Sequence, residues 1–406
     1  LLELRPAETL SNITLPLNLC LVLDHSSSMS GPKNEPKIGS LRDATMLVID
    51  MLQPQDYLSV ILFNNKTEVA FPSQQVGDQA RRNDLKARIS RLTVAGGTKM
   101  APAMEAGLVE LRKQMPIGAP TPIASGGVNR LVLLTDGLTE NEKKCLEQTD
   151  SAARLGIPIT ALGIGKDWND KFMQEIGRRS GGEADYIASP DQIRTHFAHT
   201  VQQMQAVALQ RASLRVRPAL GIDVRSIYRA HPLISRLNAG RVNEGELGAA
   251  LGEIERGHGQ TFIVEFVVPS RPAGSYRVAQ VEVEYDVLQQ GMARQQAGLD
   301  VLLTYAHDPS TVPPPNPHVM NLVEKITAFK LQTRALEDLE AGNIPAATQK
   351  LRGAMTHLLN QGDTDLAATI QEELANLEKG KVMTSEGRKT IRFESGKTVR
   401  LDNVAK

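Results

Sequence analysis

The chain has 406 residues, enough for two or three domains and at least one sizeable core. Lysine plus arginine and aspartate plus glutamate number 46 each, so the formal net charge is zero and the electrostatic argument for a nucleic-acid or anionic-membrane partner falls away. No run of about eighteen apolar residues occurs, so no membrane span is predicted. Two isolated cysteines, Cys20 and Cys145, predict free thiols and a reducing, cytoplasmic setting. The opening "LLELRPAETL", without a methionine, leaves a removed signal peptide open.

Residues 1–16 begin with the strand-like "LLELRP", which has no obvious place among the parallel strands that follow. It reads either as a separate strand or as part of a later β-sandwich, and the second reading makes the next domain an insertion. From 17 to 208, short apolar runs alternate with helical stretches. "LNLCLVL", "YLSVILF", "RLVLLT" and "PITALGI" read as strands; "KIGSLRDATMLVIDML", "DQARRNDLKARISRL", "KMAPAMEAGLVELRKQM", "NEKKCLEQTDSAARLG" and "WNDKFMQEIGRRSG" read as helices. Continuous apolar strands between amphipathic helices predict an α/β, doubly wound, Rossmann-like domain with a sheet covered on both faces. Ligands of such folds bind outside the carboxyl ends of the strands.

Residues 209–306 change period. "TFIVEFVVP", "SYRVAQVEVEYDV" and their neighbours are strand-length pieces separated by Gly, Pro and Asn, which predicts an antiparallel β-sandwich. Residues 307–317, "HDPSTVPPPNP", form a proline-rich linker. Residues 318–380 predict a three-helix segment, with apolar stripes at Leu322, Ile326, Phe329 and Leu336, at Ala347, Leu351, Ala354 and Leu358, and at Leu366, Ile370, Leu374 and Leu377. The basic tail, 381–406, repeats "KTIR" as "KTVR" (Lys389–Arg392 and Lys397–Arg400) and reads either as a small hairpin or as an unstructured end.

Three loops at predicted strand ends concentrate hard oxygen donors. They are Asp24-x-Ser26-x-Ser28 in "LVLDHSSSMSG", Thr98 in "AGGTKM" and Asp136 in "LLTDG". Taken singly, such serines cap a helix and such an aspartate sits in a turn. Together, with no soft ligand beside them, they suit Mg²⁺ or Mn²⁺ rather than Zn²⁺. No GxxxxGK[ST] loop and no GxSxG elbow is present. His196 and His199 form an i, i+3 pair without further zinc ligands in view.

These three motifs resemble the metal-ion-dependent adhesion site of von Willebrand factor A domains. "ALGIGKDWND" followed by "GGEADYI" resembles the last strands and helix of bacterial members. The resemblance implies that Ser26 and Ser28 ligate the metal directly, Thr98 directly or through water, and Asp24 and Asp136 largely through waters and hydrogen bonds. All five are expected on solvent-facing loops. The cation would keep most of its charge and one open position, and so would capture a carboxylate of a protein partner. The implied function is a non-enzymatic adaptor or scaffold in a bacterial complex. By analogy with intracellular members, an AAA-type ATPase or its client is a candidate partner. The A-plus-sandwich arrangement also resembles inter-alpha-trypsin inhibitor heavy chains. Two alternatives stand beside this reading. One is a Mg²⁺-dependent hydrolase of phosphoesters, for which the loops offer no general base. The other is a scaffold acting mainly through its helices and tail.

Overall fold

The computed structural model describes residues 1–7, 15–30, 37–115, 127–243, 245–257, 259–287 and 290–397. They fall into two units, one of Thr9–Gln210 with Asp286–Ala293, the other of Leu1–Glu8, Arg211–Tyr285 and Arg294–Lys406. In chain order the elements up to residue 206 are β1 (Leu2–Leu4), β2 (Leu17–Asp24), α1 (Lys37–Met51), β3 (Tyr57–Phe63), β4 (Thr67–Gln75), α2 (Gln79–Ile89), α3 (Met100–Arg112), β5 (Val128–Thr135), α4 (Glu142–Leu155), β6 (Ile159–Ile164), α5 (Asp170–Ser180), β7 (Glu183–Ile187) and α6 (Ile193–Ala206).

The first unit is built on a six-stranded sheet ordered β4-β3-β2-β5-β6-β7. Strand β2 pairs in parallel with β3 and β5, and β6 and β7 continue the parallel run. Only β4, at the edge, is antiparallel to its neighbour. All eight residues of β2 are buried, as are all eight of β5, which is what coverage on both faces demands. Leu17, Leu19, Leu21 and Leu23 share a core with Leu41, Val48, Phe197 and Val201 of α1 and α6. Cys20 and Val22 point the other way, where α3 comes so close that a side-chain carbon added at Gly107 would lie 3.0–3.1 Å from Val22, Cys20 and Leu131. Side-chain caps fix the helix starts: Asp78, Asn141 and Asn169 each accept a hydrogen bond from a first-turn amide. The chain leaves β2 for β3 on one side and later returns to β5 on the other. The strand order therefore reverses at β2, and a crevice opens there above the carboxyl ends.

The sequence reading omitted β4. Its pattern is irregular, it carries Pro72, and its register slips against β3 at two places, all features of an edge strand.

The second unit contains β8 (Val207–Pro218, of which residues from Arg211 belong here), β9 (Asp223–His231), β10 (Ser235–Arg236), β11 (Gly240–Asn243), β12 (Glu246–Glu255), β13 (Gln260–Val267), β14 (Gly274–Val287, here up to Tyr285) and β15 (Met292–Tyr305, here from Arg294). They make two sheets, β1-β13-β9-β10 and β11-β12-β8-β14-β15. Strand β1 pairs antiparallel with β13, Leu2 opposite Phe262. In chain order the α/β unit thus lies between two strands of one sheet. Hydrogen bonds from Arg229 to the Leu251 carbonyl (3.0 Å) and from Gln260 to the Glu253 carbonyl (2.7 Å) join the two sheets.

Four helices follow among the described residues: α7 (Pro317–Glu340), α8 (Ile344–Asn360), α9 (Thr364–Glu378) and α10 (Ser385–Glu394). Asn316, Asn343 and Asp363 cap the first three. The apolar stripes of α8 and α9 are buried where the periodicity places them. Helix α7 lays Leu322 and Ile326 on Tyr228, Ala230 and Ile263 of the first sheet and on Ile234 between β9 and β10.

The structure corrects the reading of the tail. "KTIR" is helical, because Thr384 caps α10 (accepting from Gly387 N at 2.9 Å) and Ile391 and Phe393 go into the core. Apolar burial and the cap outweigh the β-prone threonine and isoleucine. Nor are these basic groups free charges: Lys389 is buried, Arg392 pairs with Glu340 at 3.2 Å, and Lys397 pairs with Glu394 at 2.8 Å. Lys397 makes an isolated antiparallel bridge to Leu233, and Thr398–Arg400 lie outside the described residues.

Two predictions follow from this packing. Cys20 and Cys145 are unpaired and buried, and burial pushes the thiols up to about 12 and about 11 respectively. At pH 8 the native protein should therefore resist iodoacetamide, and mass measurement after denaturation without reductant should find two labelled thiols; rapid labelling of the folded chain would contradict the burial. In the helical segment, Glu373 accepts from the Thr384 amide (2.9 Å) and hydroxyl, and a methyl added at Gly387 would collide with its carboxylate. Gly387→Ala should lower stability by about 1–3 kcal/mol in urea unfolding, the usual cost of overpacking.

Candidate functional site

Asp24 ends β2 and Asp136 follows β5 directly, so the two neighbouring central strands deliver both carboxylates to the switch point. The Asp24 carboxylate accepts the Ser26 amide on Oδ1 at 2.8 Å and the Thr135 hydroxyl on Oδ2 at 2.7 Å. Both oxygens are thus held, and Ser26 is turned back over the strand end. Ser26 Oγ lies 2.9 Å from Ser28 Oγ, and Ser28 Oγ donates to Asp136 Oδ1 at 2.6 Å. Four of the five predicted residues therefore form one hydrogen-bonded chain. Thr98 reaches the same place from the second loop. A carbon added at Gly137 would lie 3.8 Å from Thr98 Oγ1 and 4.0 Å from Ser28 Oγ, so glycine leaves a cradle open between those hydroxyls.

The backbone fixes the loops to one another. Ser27 N donates to Gly96 O (3.1 Å), Ala95 N to His25 O (2.9 Å) and Lys99 N to Asn64 O (2.7 Å), tying the Thr98 loop to the β2 loop and to the turn after β3. Met100 N donates to Thr139 Oγ1 at 3.2 Å, which ties it to the Asp136 loop. The His25 ring lies 3.0 Å from the Thr93 carbonyl through Nδ1, so that nitrogen carries the proton and is spent there.

Electrostatically the site is demanding. Burial raises the Asp24 carboxyl above its ordinary value; the hydrogen bonds from Ser26 and Thr135 oppose this, and the nearby Asp136 adds to it. The solvent-facing placement expected for these residues needs correction. Asp24, Ser26 and Asp136 are buried, Thr98 is half-buried, and Ser28 alone is exposed. The aspartates are extensions of central strands, which carry their burial to the last residue. Of the histidine pair on α6, His196 pairs with Asp185 (Nδ1 to Oδ2, 3.2 Å).

One further residue reaches the site without belonging to any of the three motifs. Lys37, the first residue of α1, donates from Nζ to Asp136 Oδ2 at 2.6 Å, with its side chain mostly covered. A signal existed: a cation in the first turn of a helix opposes the helix dipole, so it calls for an anion nearby. The pattern of neutral hydroxyls backed by buried carboxylates can hold a hard divalent cation while leaving its charge largely exposed.

Comparison with known proteins bears on the domains and the fold. The model of the von Willebrand factor type A domain matches residues 18–203, and that of the Sll0103-like C-terminal alpha-helical domain matches 317–401. The chain is 28% identical over 397 residues to the uncharacterized protein sll0103 of Synechocystis sp., covering 95% of this chain and 89% of that one. It is 27% identical over 175 residues to the human inter-alpha-trypsin inhibitor heavy chain H4, spanning 42% of this chain but 18% of that protein. The solved von Willebrand factor type A protein from Catenulispora acidiphila superimposes with a TM-score of 0.75 at 19% identity, over 95% of this chain and 90% of that one, a likeness of fold. The chain thus carries a von Willebrand factor type A domain over residues 18–203 and a C-terminal helical domain of the Sll0103-like type over residues 317–401.

Proposed function

We propose that the α/β unit binds one Mg²⁺ or Mn²⁺ through Ser26, Ser28 and Thr98, with Asp24 and Asp136 acting through waters and hydrogen bonds, and that the bound ion takes up an Asp or Glu carboxylate of a partner protein. The observation that carries this reading is the convergence of three loops on one set of hydroxyls, with Ser26 Oγ and Ser28 Oγ 2.9 Å apart. Two adjacent ligands of an octahedral Mg²⁺, each at 2.0–2.1 Å, lie about 2.9 Å from one another. The open cradle over Gly137 supports it too. The ion would supply a positive centre with an open position; the chain's own residues orient the hydroxyls and balance the charge.

A binding role is favoured over hydrolysis. A hydrolase needs a base within reach of the attacking water. Here the carboxylates at the site are engaged by Ser26, Thr135, Ser28 and Lys37. Von Willebrand A domains serve protein–protein interaction, and an adaptor in an intracellular complex is the role proposed; an AAA-type ATPase or its client belongs to the partners to be tested. Two free thiols support a reducing compartment. No helix among the described residues is long and apolar enough to cross a membrane.

The test uses Asp24→Asn. This variant keeps the side-chain shape but removes a desolvated charge close to Asp136, so in EDTA it should melt no lower than the parent. Its Mn²⁺ affinity by calorimetry should drop at least about tenfold, the scale seen when groups that orient metal ligands are lost. Unchanged Mn²⁺ binding would sink the assignment. A pull-down from cell extract with and without EDTA should lose its acidic partner on chelation.

A further inference from the structure

We propose that Lys37 is a built-in counter-cation of Asp136 that competes with the divalent ion and holds the metal affinity of the site down. This inference rests on the metal-binding reading above and goes beyond it. Both Asp136 oxygens are occupied: Oδ1 by the Ser28 hydroxyl at 2.6 Å, Oδ2 by the Lys37 ammonium at 2.6 Å. The Asp136 side chain is fully buried and that of Lys37 is 18% exposed, so the pair is shielded from bulk water. The stem of Lys37 runs beside the turn after β6, where a carbon added at Gly165 would lie 3.6 Å from Nζ and 3.8 Å from Cε. The ammonium is therefore held by the Asp136 carboxylate, beside that turn.

The consequence is one of charge balance. Asp24 and Asp136 give the metal-free site two negative charges and Lys37 returns one, so the empty site is short of a single positive charge. A divalent ion overshoots that need. Bringing it in sets two positive centres near one carboxylate in a poorly screened place, where repulsion at a few ångströms is worth kilocalories rather than tenths. Serine 28 must also release its bond to Asp136 or share its oxygen. The loaded site then carries a net positive charge, which an incoming carboxylate neutralises. Lys37 thus makes the ion alone a weak ligand and the ion with an acidic partner a strong one. Its position at the start of α1 adds to the effect, since the helix dipole there is also positive.

The experiment is Mn²⁺ calorimetry on the full chain and on Lys37→Met, Lys37→Gln and Lys37→Arg, with melting temperatures in EDTA and in saturating Mn²⁺. Lys37→Met should bind Mn²⁺ about tenfold tighter, and its melting temperature should start lower in EDTA yet rise more on adding metal. Lys37→Gln, which keeps a donor toward Asp136 without the charge, should also bind tighter and serves if the Met variant does not fold without metal. Lys37→Arg should stay near the parent. Equal or weaker binding by both neutral variants, beside a parent that binds, would overturn the role of Lys37 while leaving the metal site standing. Absence of binding by the parent and all variants would overturn the metal reading and this inference together.

Discussion

The hydrogen bond from Thr135 to Asp24 joins the ends of the two central strands, and the rest of the site depends on the burden it shares. Two carboxylates stand at the carboxyl edge of a sheet whose strands are buried to their last residue. A charge in such a place costs several kcal/mol unless donors surround it. Each carboxylate accordingly has a donor on each oxygen: an amide and a hydroxyl on Asp24, a hydroxyl and an ammonium on Asp136. This explains why the DxSxS loop folds back immediately. The turn that brings Ser26 N onto Asp24 is the same turn that brings the Ser26 and Ser28 hydroxyls together. Satisfaction of a buried charge and presentation of ligands are one geometric event.

That dual use accounts for what the sequence made legible. The central strands were readable because burial on both faces leaves a continuous apolar run, and the helices because their stripes repeat at helical spacing. The candidate residues were readable because the chemistry forces them to follow strands. Thr98 is the instructive exception, since it follows no strand. It sits between α2 and α3, and the hydrogen bonds of its loop to His25, Ser27, Asn64 and Thr139 bring it in. Its motif could be matched, but its placement required the tertiary structure. Lys37 was missed for a related reason. It reads as an ordinary helix residue, and the partner that makes sense of it, Asp136, is 99 residues away. The burial of Asp24 was misjudged because a strand's last residue and a loop's first residue are the same letter in a sequence.

In the second unit, side-chain pattern and local propensity compete openly. Threonine, isoleucine and valine in the repeated "KTIR" and "KTVR" favour extended backbone, yet the first copy is helical. What decides is the environment that Glu373 creates. Buried itself, it must find donors, and it takes the Thr384 amide and hydroxyl, with Asn376 Nδ2 at 3.5 Å beside them. Once Thr384 is so held, it stands as the N-cap of α10, and the amphipathic face of that helix drops Ile391 into the core of α7, α8 and α9. A polar demand thus fixes where the helix starts, and apolar burial fixes which way it faces.

The same logic joins helices to strands in that unit. The sheet β1-β13-β9-β10 turns Tyr228, Ala230 and Ile263 toward α7, which answers with Leu322 and Ile326. At the margin, Lys330 pairs with Glu265 at 2.6 Å and lies 4.5 Å over the Tyr228 ring, so the apolar contact ends in an ion pair and a cation–π contact. A proline-rich stretch between strand and helix reads as a spacer between independent bodies, but these residues share one core. The sheet face needs α7 for its cover, and α7 needs the sheet for its first three turns, before its later turns join the helices beyond. Neither surface is satisfied alone, so this sheet and α7 stabilise one another, whereas the α/β unit carries in β2 and its two covering layers a core of its own.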